Sequence, residues 1–93
     1  MGKFLVVHPQ LPAPLTIEEA TPLGQKVKAN STLDAYWVKT WGQMNEEGKV
    51  VKMLCEWNAV DAKAIRKVLA KVPELPVEGI FLEDYEKTHM PSR

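Results

Sequence analysis

The sequence predicts an α+β fold in which two helices cover one face of a four-stranded antiparallel sheet. Segments with strand-like and helix-like apolar patterns follow one another in the order β-α-β-β-α-β. Stretches that contain proline, asparagine or glycine separate these segments, as turns and loops do. The 93 residues suffice for one domain of two layers. We therefore expect a single domain over residues 1–93, with an ordered core at about 3–87.

The first half of the chain predicts a strand and a capped helix. Residues 3–8 are rich in Phe, Leu and Val, and three prolines follow them. Thr16 and Glu19 have the spacing of a capping box, so a helix is expected between about 16 and 30, with a kink before Pro22. Apolar residues recur on one side of this helix at Ile17, Ala20, Leu23 and Val27.

The second half predicts a hairpin, a second helix and a last strand. Residues 34–44 and 49–57 are rich in β-formers, and 45–48 form the loop between them. An aspartate N-cap begins a helix over about 61–72, and prolines follow it. Residues 78–87 complete the set as a fourth strand. Right-handed crossovers then give the strand order 4-1-3-2 with both helices on one face, a ferredoxin-like βαββαβ sandwich.

Strand periodicity divides the predicted sheet into two faces. The face expected under the helices carries Leu5, Val7, Tyr36, Val38, Val51, Met53, Cys55, Ile80 and Leu82. The uncovered face carries Phe4, Val6, His8, Trp37, Lys39, Trp41, Lys52, Leu54, Glu56, Phe81, Glu83 and Tyr85. The area of this uncovered face is about 400 Å². The largest exposed apolar patch of a typical monomer has a similar area. We expect a second copy of the chain to cover it, giving a homodimer of the dimeric α/β-barrel type. The alternative is a monomer with scattered surface aromatics.

The polar side chains of the uncovered face predict a ligand site between the two sheets. Pairing around the 45–48 loop clusters the candidate ligand-binding residues Trp37, Lys39, Trp41, Lys52 and Glu56. In that register Trp41 lies opposite Lys52, and Trp37 lies opposite Glu56. A carboxylate enclosed by a partner sheet must pair with a lysine, a proton or a metal ion. The alternative is a dimer interface whose charges neutralise one another.

A metal site is predicted with His8 and Glu56 as candidate ligands, both expected on the uncovered face. They lie at opposite ends of the sheet, so a two-fold axis would have to bring His8 to another chain's acid. The alternative is a solvated histidine at a strand end. The sequence contains none of the CxxC, HxxxH or HExxH spacings. Cys55 is expected under the helices as a small hydrophobe rather than as a nucleophile.

Composition limits the partners and the compartment. Twelve basic and twelve acidic residues balance, and residues 49–57 lack an RNP-type motif, so no nucleic-acid binding is expected. The apolar runs are too short for a membrane span or a signal peptide. One cysteine fits a reducing compartment, and we expect a cytoplasmic protein.

Five segments together resemble a family of small proteins of unknown function that includes a bacterial nickel-binding protein. They are DAYWV at 34–38, EEGK at 46–49, CEW at 55–57, DAKAI at 61–65 and LPV at 75–77. The resemblance extends over most of the chain, from Lys3 to about Tyr85. It implies a ferredoxin-like fold, a homodimer and a site for nickel or another divalent metal.

The sequence therefore predicts a homodimer that binds a divalent metal, nickel included, or a small ligand between its sheets. One alternative is a cofactor-independent oxygenase or isomerase with Glu56 or His8 as general base, an expectation by fold analogy. The other is a purely structural interaction module.

Overall fold

The computed structural model describes residues 1–83. Its elements are β1 (Gly2–Val7), α1 (Ile17–Asn30), β2 (Ala35–Met44), β3 (Val50–Ala59), α2 (Ala62–Leu69) and β4 (Gly79–Leu82). The strands form one antiparallel sheet in the order β2-β3-β1-β4. The predicted α+β class, element order and 4-1-3-2 strand order are confirmed, and they are those of a ferredoxin-like fold. The remainder of the predicted last strand, with the core boundary at 87, lies outside the described residues.

Helix α1 begins where the sequence predicts, because a reciprocal cap satisfies its first turn. The Glu19 backbone N–H donates to Thr16 Oγ1 at 3.1 Å, and the Thr16 backbone N–H donates to Glu19 Oε1 at 2.9 Å. Pro22 lies inside the helix. Ser31 ends it in extended backbone, with its N–H donating to the Lys28 carbonyl.

Helix α2 is shorter than predicted. Asp61 caps its start by accepting from the Ala64 N–H at 2.8 Å. The regular helix ends at Leu69 rather than near residue 72, and a turn continues the chain to Val72, whose N–H donates to the Leu69 carbonyl. The apolar residues of this segment, which recur at helical spacing, are buried against the sheet: Ile65, Val68, Leu69 and Val72.

The hydrophobic core lies between the helices and one face of the sheet, which we call the covered face. The buried core residues are Val6, Val27, Ala35, Val50, Met53, Cys55, Trp57, Ala59, Ile65, Val68, Leu69, Val72 and Leu75. Trp57, on the central strand β3, is the largest of the fully buried side chains. Burying a side chain of this size stabilises the fold by several kcal/mol, about 3–5 by the cost of its truncation.

A β-bulge in β2 changes which side its residues face. Trp37 pairs with Trp57, but the next pair joins Lys39 to Glu56, so Val38 is an extra residue. The alternation before the bulge therefore does not continue through it. A second irregularity follows between Gln43 and Met44.

Because of the bulge, the predicted position of Trp37 is wrong. Trp37 packs against the core, and its Cη2 lies 3.5 Å from the place a Cβ would take on Gly24 of α1. It therefore lies on the covered face. Tyr36, predicted under the helices, is 39% exposed, and its hydroxyl accepts from Asn58 Nδ2 at 3.4 Å.

The predicted faces of β1 are also reversed. Val6 and His8 are buried, with 0% and 1% of their surfaces exposed, and Phe4 packs against the core. Leu5 and Val7 therefore point away from the helices. Met53 and Cys55 of β3, and Ile80 of β4, lie on the predicted covered face.

Candidate functional site

The sheet face opposite the helices is the candidate site, and we call it the open face. Strand register and alternation assign to it Lys3, Leu5, Val7, Tyr36, Lys39, Trp41, Lys52, Leu54, Glu56, Asn58 and Phe81. Four of the five predicted ligand-binding residues therefore lie on this face, and Trp37 does not. The predicted pairing is corrected as well: Trp41 lies opposite Leu54, and Lys39 lies opposite Glu56.

One row of side chains crosses the open face from edge to edge. Phe81, Leu5, Glu56 and Lys39 are opposite one another on β4, β1, β3 and β2. Glu56 is at the second strand from one edge, and only 8% of the residue is exposed although no helix covers this face. The flanking strands therefore already enclose a carboxylate within a single chain.

The Glu56 carboxylate has a lysine beside it. Lys3 Nζ lies 3.8 Å from Glu56 Oε2, and the Lys3 side chain is about half exposed. Removing a carboxylate from water is costly unless a charge or hydrogen bond compensates. Lys3 thus supplies a compensating charge beside a largely enclosed carboxylate, which a ligand can also contact.

Lys39 and Trp41 form the second polar feature of the open face. Lys39 Nζ lies 4.7 Å from the centroid of the Trp41 ring, a cation–π distance. Lys52, predicted to contact Trp41, instead pairs with Glu78 at 3.6 Å. Among residues 1–83, Lys39 is the cation of the open face that has no ion-pair partner.

His8 lies on the covered face, so the prediction that it shares a face with Glu56 is wrong. Its Nδ1 lies 2.8 Å from the Pro76 carbonyl, which assigns the N–H donor to Nδ1. Nε2 is buried and has no hydrogen-bond partner within residues 1–83. Burial lowers the pKa of His8 from its usual 6.5.

The described residues give little support to a metal site within one protomer. His8 and Glu56 point to opposite sides of the sheet and cannot bind the same ion. In the part of the chain from 1 to 83, no three His, Cys, Asp or Glu side chains cluster closely enough to hold a metal.

Cys55 is buried on the covered face, where it was predicted. The Thr40 hydroxyl lies 3.2 Å from its sulfur, and Trp37 Nε1 donates to that hydroxyl at 2.9 Å. Burial raises the pKa of the Cys55 thiol, which favours the neutral form. Sequence analysis missed this Trp37–Thr40–Cys55 chain, because it depends on the bulge at Val38.

Two clefts beside the helices were not predicted. One of about 280 Å³ lies between α1 and α2 and includes Lys67 and Lys71. The other, of about 270 Å³, is mostly apolar and lies between α1 and the far end of the hairpin, near Ile17 and Met44. Neither cleft is lined by a residue that the sequence analysis predicts to bind a ligand or a metal.

The helices of the described region are too short and too polar to cross a bilayer. A comparison of the chain with protein-family models, with curated proteins and with solved structures finds no match.

Proposed function

We propose that the protein is a homodimer joined through the open face, and that a small-ligand site lies between the two sheets around Glu56. The observation that carries the proposal is Glu56, a largely buried carboxylate on an uncovered sheet face that carries lysines as well as apolar side chains. Charged side chains on a solvated sheet surface are normally exposed to water. Ligand pockets, in contrast, contain a few enclosed polar groups among apolar walls.

The size of the open face supports a second copy as its occupant. Strands of six, ten, ten and four residues span about 500 Å² in the sheet plane. Because side chains project from the sheet, the accessible surface of this face is larger than its planar area. It approaches the roughly 800 Å² that each partner contributes to a standard interface. Phe81 and Trp41, 56% and 46% exposed, are aromatic side chains of the kind that anchor interfaces.

Two-fold symmetry supplies the geometry of the proposed site. Lys39 and Phe81 are at opposite ends of the same row. A two-fold axis parallel to the strands brings the β2 margin of one sheet over the β4 margin of the other. The Lys39–Trp41 pair of one protomer then faces the aromatic margin of its partner, and the space between them opens onto Glu56.

An organic ligand suits this site better than a metal ion. The carboxylates at the open face, Glu56 and Glu78, each lie beside a lysine, and the predicted histidine ligand lies on the other side of the sheet. The nickel or other divalent-metal site therefore rests on the sequence resemblance alone. The single buried thiol is compatible with the predicted cytoplasmic location.

Light scattering on Phe81→Glu tests the homodimer. The substitution removes an exposed aromatic side chain from the proposed interface and requires a carboxylate to lose its water there, so we expect a monomer in place of the wild-type dimer. Ile17→Glu is the matched control. Ile17 is 60% exposed on α1, away from the open face, so this substitution should leave the dimer intact. A wild-type monomer, or a Phe81→Glu dimer of unchanged dissociation constant, would contradict the proposal.

Native mass spectrometry of untagged protein titrated with nickel tests the metal prediction. Stoichiometric nickel that is lost in Glu56→Gln but retained in Glu18→Gln would support a metal site between the sheets. Glu18 is an exposed acid on α1 and serves as the control. Absence of saturable nickel binding would leave the organic ligand as the occupant.

The enclosed carboxylate also favours a second candidate function, catalysis with Glu56 as general base. In that case Glu56→Gln should accumulate an unreacted ligand that the wild type converts, and mass spectrometry of the extracted small molecules would detect the difference. Identical ligand in both proteins would oppose catalysis. A structural interaction module would carry no ligand in either.

A further inference from the structure

We infer that the ligand of this site is a small organic anion with a flat apolar body, held by Lys39 against Trp41. The inference rests on the proposed homodimer, because the second wall of the site comes from the partner's β4 margin. It extends that proposal by naming the chemical class of the ligand.

The charges of the open face favour an anion. Lys3 has Glu56 as its partner, and Lys52 has Glu78. Within residues 1–83, Lys39 has only the face of Trp41 as a charge-stabilising contact. A cation–π contact holds the ammonium group without neutralising its charge. A carboxylate or sulfonate enclosed between the sheets would supply the missing charge.

The apolar surroundings favour a flat body attached to that anion. Trp41 lies opposite Leu54, and Leu5 belongs to the neighbouring row of side chains that contains Glu56 and Lys39. At the other margin, the Phe81 ring lies over Gly79, where an added Cβ would be only 2.7 Å from its Cζ. Any side chain at position 79 would therefore clash with the ring in this position. In the proposed dimer the Phe81 margin of one protomer faces the Trp41 margin of the other, and two facing aromatic walls suit a planar ligand between them.

Glu56 supplies the third contact. Its side chain is 11% exposed, and Lys3 approaches one oxygen at 3.8 Å, longer than a direct hydrogen bond. A hydroxyl or N–H group on the ligand can donate to this carboxylate while the ligand's own anion pairs with Lys39. The two groups lie opposite each other on neighbouring strands, about 5 Å apart at Cα. A ligand that carries an acid and a hydroxyl at separate positions of one aromatic ring can therefore contact both residues.

Matched carboxylate and amide probes test the inference. We would titrate ¹⁵N-labelled protein with benzoate, 3-hydroxybenzoate and 2-naphthoate, and separately with the corresponding neutral amides. The indole N–H signal of Trp41 should move with each carboxylate, whereas that of the buried Trp57 serves as an internal control. Each carboxylate should bind at least about tenfold more tightly than its amide, and 3-hydroxybenzoate more tightly than benzoate.

Lys39→Met should weaken carboxylate binding about tenfold and leave amide binding unchanged. Lys28→Met is the control, because Lys28 is an exposed lysine on α1. Equal affinity for acids and amides, no effect of Lys39→Met, or no binding of any carboxylate below about 10 mM would overturn the inference. Light scattering on the same samples separates the failures: if the protein is a dimer only the ligand class is wrong, and if it is a monomer the proposed function fails as well.

Discussion

The two faces of the sheet are built from the same four strands but carry opposite kinds of tryptophan. On the covered face Trp57 is fully buried, whereas on the open face Trp41 is 46% exposed. The covered face even encloses polar atoms without partners among residues 1–83, Trp57 Nε1 and His8 Nε2. The open face instead gives its buried charge, Glu56, a lysine. The difference indicates that packing on the covered face stabilises the protomer, and the open face is the one that we propose for dimerisation and ligand binding.

Trp57→Ala should produce the largest effect on this comparison. Removing the buried indole should lower the free energy of unfolding by about 3–5 kcal/mol, a large part of the 5–15 kcal/mol or so typical of a domain. Urea unfolding at low protein concentration, where any dimer dissociates, measures the protomer alone. Trp41→Ala is the matched control and should cost less than about 1 kcal/mol there. Equal losses in both variants would contradict the division of roles.

Acidification should weaken the covered face at His8, with a smaller effect. Burial lowers the pKa of His8 in the folded protein below the 6.5 of the unfolded chain. As the pH falls below 6.5, the unfolded state binds the proton first, so the contribution of His8 to stability is complete above that pH and is lost below it.

Replacing His8 sharpens the test. Between about pH 8 and pH 5, the urea midpoint of His8→Gln should depend less on pH than that of the wild type. Lys28→Gln, at an exposed position of α1, should retain the wild-type dependence. If the urea midpoint of His8→Gln depends on pH as strongly as that of the wild type, other groups cause the acid sensitivity.

Thr40→Val should have the smallest effect. The substitution removes the hydroxyl that accepts from Trp37 Nε1 and contacts the Cys55 sulfur, at a cost of about 1 kcal/mol in the free energy of unfolding. Thr21→Val is the control, because its hydroxyl bonds only within exposed α1 at the Ile17 carbonyl. If the two variants have the same stability, the Trp37–Thr40–Cys55 chain contributes nothing of its own.

Element order and strand order were predictable because local signals determine them. The Thr16–Glu19 cap, the turn at 45–48 and the Asp61 cap each specify a boundary through nearby hydrogen bonds. The assignment of Glu56 to the face away from the helices was also confirmed, since β3 alternates regularly from Met53 to Trp57.

The faces of β1 and of the start of β2 were not predictable for two different reasons. Residues 4–7 are all apolar, so alternation in polarity is absent and cannot tell one side from the other. In β2, the bulge at Val38 involves neither glycine nor proline. The register of Lys39 with Glu56 depends on tertiary pairing with β3, and no local pattern encodes it.

The bulge at Val38 gives β2 an unusual tolerance to a change in length. Deleting one residue from a regular strand turns every later side chain to the opposite side. Deleting Val38 would instead restore simple alternation from Trp37 to Lys39 and leave Thr40 and Trp41 where they are. Shortened homologues of this chain could therefore keep both the core tryptophan and the Lys39–Trp41 pair, losing the extra twist that a bulge adds to the hairpin.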